Sequence, residues 1–69
     1  MTSDLAQRKL RQLVFLHAQH CYAQGAKIPV DQVKLYQVMN RDYEQGYMTL
    51  ADIESDIAEY LEMRKTNAS

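Results

Sequence analysis

Apolar positions recur along this chain at helical spacing in three blocks, and the last block, Thr49 to Arg64, is the most sharply marked. Thr49 with Asp52 three places on makes a capping box: the hydroxyl accepts from a free backbone N–H, and the carboxylate faces the positive end of the helix dipole. At about 100° per residue, Leu50, Ile53, Ile57, Tyr60 and Leu61 share one side, while Asp52, Ser55, Glu59 and Glu62 share the other. The first side must be buried. Arg64 and Lys65 suit the negative end of the dipole, so a helix over 50–65 is predicted, with residues 66–69 a frayed tail that has nothing apolar to bury.

The first block predicts a helix over about 3–24, with cap candidates at Thr2 to Asp4 and Gly25 just past its end. Its main face gathers Ala6, Leu10, Leu13, Val14, His17 and Cys21. Phe15 and Tyr22 form a second stripe beside Ala18, and Leu5 and Leu16 lie on a third side. So much apolar surface around one helix needs cover from several directions. Gly25 to Val30, GAKIPV, reads as a connector, because Pro29 biases Ile28 away from the helical region. Asp31 then caps a helix over 31–45, with Val30 placed to pack on Leu35 as a hydrophobic staple. Val33, Tyr36, Met39 and Tyr43 form its apolar stripe, and Gly46 ends it. The expected fold is all-α: a single small domain, 1–69, of one long N-terminal helix and a helical hairpin, three helices in all.

Length changes this picture. A chain of 69 residues buries barely enough apolar surface to offset the entropy lost on folding, and the lone Cys21 excludes an intrachain disulfide. A homodimer is therefore expected, with Phe15, Leu16, Ala18 and Tyr22 as its interface. The net charge of −1 argues against non-specific attraction to nucleic acid or to an anionic membrane surface. No N-terminal signal architecture is visible, and the longest apolar run, Leu13 to Leu16, is too short to span a bilayer. With a free thiol as well, the expected location is cytoplasmic.

Candidate chemistry is sparse. His17, His20 and Cys21 fall within about one and a quarter helical turns, at spacings that suit one metal ion. A closed site would need a partner chain, whereas on this face the thiol reads as ordinary packing. No cofactor is expected, and no carboxylate or cleft is placed to make a nucleophilic Cys–His pair, so no enzyme is expected either. Aligning Gly46 with the sixth position of a calcium-binding EF-hand loop puts Arg41, Tyr43 and Gln45 where oxygen ligands belong, and Asp52 where a bidentate Glu is wanted. The ligands are missing. Helices two and three also suggest a DNA-binding helix-turn-helix, but the would-be recognition helix exposes Asp52, Glu54, Asp56, Glu59 and Glu62, which phosphates would repel. Arg8, Lys9 and Arg11 on helix one are the alternative contact set for DNA.

The same acids fit a basic protein patch, such as the DNA-contacting face of a transcription regulator. Tyrosine and methionine are common at protein interfaces, and the chain has five of the first and four of the second. Tyr47, in the turn, is expected to be exposed. In size, compactness and lack of catalytic residues the chain resembles the short early proteins of bacteriophages and mobile elements that bind and silence host proteins, transcriptional anti-activators among them. The likeness is one of texture over the whole chain. The expected function is thus protein binding and inhibition, with Tyr43, Tyr47, Glu54, Glu59 and Glu62 as the partner surface. A helix-turn-helix regulator, or a metal-binding dimer through His17, His20 and Cys21, is the alternative.

Overall fold

The structure, a computed structural model, describes residues 4–68, with side chains for residues 4–66. Three α-helices make up the fold: α1 (Asp4–Ala23), α2 (Gln32–Glu44) and α3 (Leu50–Ala68). The cap candidates Thr2 and Ser3 lie outside the described residues. The capping box at Thr49 is formed in both directions. The Asp52 backbone N–H donates to the Thr49 hydroxyl at 3.2 Å, and the Thr49 N–H donates to the Asp52 carboxylate at 3.0 Å. Those bonds hold the Asp52 carboxyl below its ordinary pKa, the backbone bond contributing most. At α2, Asp31 accepts from the Lys34 N–H at 3.1 Å.

Both inter-helix turns close in the same way. Gly25 and Gly46 take positive φ, 87° and 84°, beyond the ends of α1 and α2. The N–H of the next residue reaches back five positions in each case, from Ala26 to the Cys21 carbonyl and from Tyr47 to the Asp42 carbonyl. A second bond runs from each glycine, to Tyr22 and to Tyr43. This is the Schellman closure, which satisfies carbonyls that the helix end leaves free.

The core lies between α1 and α3. Leu10, Leu13 and Leu16 meet Ile53 and Ile57, all five buried, with Tyr36, Met39, Tyr43, Met48 and Tyr60 packed partly against them. The expected helical hairpin is not how the last two helices pack. Each leans on α1, and few contacts join α2 to α3. With a neighbour on one side only, α2 buries no residue completely. Val33, expected in its apolar stripe, is 69 % exposed. Leu61 also departs from expectation, standing at the open edge of the α3 stripe while Ile53 and Ile57 carry the burial. Finally α3 does not stop at Lys65 but continues through residues 66–68 to Ala68, with the Thr66 hydroxyl donating to the Glu62 carbonyl at 3.1 Å. Among the described residues, no helix is long and apolar enough to cross a membrane.

Candidate docking groove

The structure holds an open groove of about 660 Å³. One wall is the C-terminal half of α1, the opposite wall is the end of α3 at Tyr60, Met63 and Arg64, and the connector from Ala26 to Val30 closes one end. Its position follows from the fold. The turn at Gly25 throws the connector sideways off α1, and Pro29 keeps it from winding into helix, so Ile28 is left at the rim, 81 % exposed. Phe15 and Tyr22, at 50 % and 83 %, complete an uncovered apolar border.

All four residues expected at a dimer interface line this one groove: Phe15, Leu16, Ala18 and Tyr22. Leu16 differs from the other three. It is 6 % exposed and belongs to the core with Ile53 and Ile57, so it supplies the floor and not an outer seam. The connector's contribution, Lys27, Ile28 and Pro29, was not legible as part of a site. The available signal was an isoleucine in a short connector, with no helical stripe of its own to join.

Beneath the groove runs a polar chain that the sequence could not show. His17 Nδ1 lies 2.8 Å from the Tyr60 hydroxyl, and His17 Nε2 lies 3.6 Å from Cys21 Sγ. Either neutral tautomer satisfies both contacts. With the proton on Nε2 the ring donates to sulfur and accepts from Tyr60. With it on Nδ1, the ring donates to the phenol oxygen and accepts from the thiol. His20 packs its ring 5.4 Å from that of Tyr60. Desolvation raises the Tyr60 pKa above its ordinary value of about 10, helped by the negative charges of Cys21, Asp56 and Glu59 in their ionised forms.

His17 and His20 share a smaller hollow of about 230 Å³ with Asp56 and Glu59. No three His, Cys, Asp or Glu side chains among the described residues come together closely enough to hold a metal ion, so His17, His20 and Cys21 do not form a metal site within one chain.

The expected partner surface is split. Tyr47 is 79 % exposed in the second turn, and Glu54, Glu59 and Glu62 are exposed along α3. Tyr43 is half-buried and packs against the core, which leaves only part of its ring to a partner. Asp52, exposed like the glutamates, is committed to the helix cap. Of the three basic residues considered for DNA contact, Arg11 stands over the Tyr36 ring, 5.5 Å from its centroid, and ties α2 to α1. No family model matches the chain, and no curated protein or solved structure is significantly similar to it.

Proposed function

We propose that this protein is a non-enzymatic interaction module, a small homodimer that binds another protein and blocks its action, a transcription regulator being a partner class that its charge suits. One observation carries the reading. Among the described residues, seven apolar side chains are buried and eight large ones are exposed, and three of those eight, Phe15, Tyr22 and Ile28, border a single groove. Scattered apolar exposure is ordinary on a monomer, but side chains of this size gathered round one concavity mark an interaction surface.

The division of labour follows from charge. The groove is apolar, with Lys27 and Arg64 as its charged lining groups, while Glu54, Glu59 and Glu62 are exposed along α3. A DNA-contacting protein surface is basic, so these glutamates would draw it in.

The test is reversal of those charges, Glu54→Lys with Glu59→Lys and Glu62→Lys. All three side chains are exposed, so the helical circular dichroism should persist. Affinity purification from a host lysate, read by mass spectrometry, should then lose the protein that wild type captures. Undiminished capture by the triple variant would show that the glutamates are merely solvated.

A further inference from the structure

We infer that the smaller hollow, shared by His17, His20, Asp56 and Glu59, receives one arginine side chain from the protein that this chain binds. This deepens the reading above and rests on it, since the partner surface in that reading is basic.

Charge is the first argument. Asp56 and Glu59 are the acidic groups that line the hollow, and no lysine or arginine joins them there. Three positions apart on α3, they are neighbours on the helix surface. Other acids of the fold are committed: Asp31 and Asp52 cap helices, and Glu44 accepts from the Asn40 amide. No hydrogen bond or ion pair among the described residues engages Asp56 or Glu59. Arg64, the first cation of α3, lines the larger groove instead. Two negative charges with no lysine or arginine to balance them are the complement of a cationic side chain. Tyr60 feels the same field, because both carboxylates add to desolvation and to Cys21 in raising its pKa.

Size and lining choose the cation. At about 230 Å³ the hollow is smaller than the roughly 300–1,000 Å³ of sites that enclose a whole small ligand, and it suits a single side chain. The Tyr60 ring lies 6.0 Å from that of His17 and 5.4 Å from that of His20, neither stacked flat upon it, so aromatic surface borders the carboxylates. Met39 and Met63 add thioether walls from α2 and α3. A guanidinium fits this mixture better than an ammonium. It is planar and weakly hydrated, stacks on rings and forks to carboxylates, while its methylene stem packs on apolar walls. A metal ion needs ligands that converge on one point, and no three His, Cys, Asp or Glu side chains among the described residues do so. Glu59 is also one of the three glutamates assigned to the partner surface, so the hollow shares a residue with it.

The experiment is a nuclear magnetic resonance titration of the full chain with N-acetyl-arginine amide at constant ionic strength. The Met39 and Met63 methyl signals and the Tyr60 ring signals should shift and saturate in the millimolar range. N-acetyl-lysine amide should bind severalfold more weakly, and the neutral isostere N-acetyl-citrulline amide should leave the signals unmoved. Asp56→Asn with Glu59→Gln, at a half-buried and an exposed position, should keep the helical spectrum and weaken arginine binding by roughly tenfold. Citrulline binding as well as arginine, lysine binding equally tightly, an arginine response that the double variant retains, or no response at all would each overturn the inference. The parent reading fails separately. If the hollow binds the arginine amide while the triple glutamate reversal still captures its partner, the hollow stands and the acidic docking surface falls. If the reversal loses the partner while the hollow ignores arginine, the docking surface stands and this inference falls.

Discussion

The two faces of α1 that meet the other helices are built on different principles. Towards α3, three leucines and two isoleucines shut out water, and the Tyr60 to His17 hydrogen bond is set at their edge. Towards α2, the contacts are partly buried rings and thioethers together with the Arg11 guanidinium over Tyr36. The first interface is a small core, and the second is closer to a docked surface. The difference teaches that a chain this short can close one seam well, and that its remaining helix is held on terms nearer to those of a binding partner.

That contrast can be broken outright at its strongest point. Ile53 is completely buried, so Ile53→Ala should cost about 2–5 kcal/mol, a large share of what so small a domain possesses. Met39→Ala, at a half-buried position on α2, should cost clearly less, because part of its surface already faces water. Thermal or denaturant unfolding of the two variants checks this, and equal losses would mean that α2 belongs to the core as fully as α3 does.

A finer cut separates the polar edge of the α1–α3 seam from its apolar body. Tyr60→Phe keeps the ring and deletes the hydroxyl that His17 uses, at a cost of about 1 kcal/mol near neutral pH. The Tyr60 pKa is raised on folding, so its contribution is complete below the unfolded value of about 10 and is lost as pH rises through that value and on through the folded one. Stability measured across this alkaline range should therefore fall less steeply in the phenylalanine variant than in wild type. Identical slopes would remove the phenol from the account.

The smallest effect is expected on the other side. Arg11→Ala removes a cation from the face of a partly exposed ring and should cost roughly 0.5–1 kcal/mol. Amide hydrogen exchange sharpens that reading: protection should drop in α2 and hold in the α1–α3 core. Uniform loss would mean that the three helices open together.

Much of this architecture was legible in the residues. The Thr49 box, the Asp31 cap and the two glycine stops are local devices, and local chemistry can be read from neighbours in the chain. The burial of Leu10, Leu13, Ile53 and Ile57 followed from periodicity for the same reason. What periodicity could not say was which apolar stripe would find a neighbour. Val33 was expected in a buried stripe and Leu16 at a dimer interface, yet the first points into solvent because α2 sits at an edge, and the second is buried in the core with Ile53 and Ile57 of α3. The His17 to Tyr60 bond spans 43 positions and has no signature within either helix. Of the site, the α1 wall was visible as surplus hydrophobicity. The connector wall was not, since Ile28 gains its meaning only when the turn at Gly25 swings it beside Tyr22.

Those two glycine turns carry one more implication. Nothing lies within 4 Å of the point where a side chain would begin at Gly25 or Gly46, and the bonds that close each turn run between main-chain atoms alone. The route of the polypeptide is thus dictated twice without help from any neighbouring side chain. Tyr22 and Tyr47, placed immediately beside these bends, lend them only their amide groups. Their aromatic rings are free to be rewritten to suit whatever they must grip, and the scaffold behind them would keep its course.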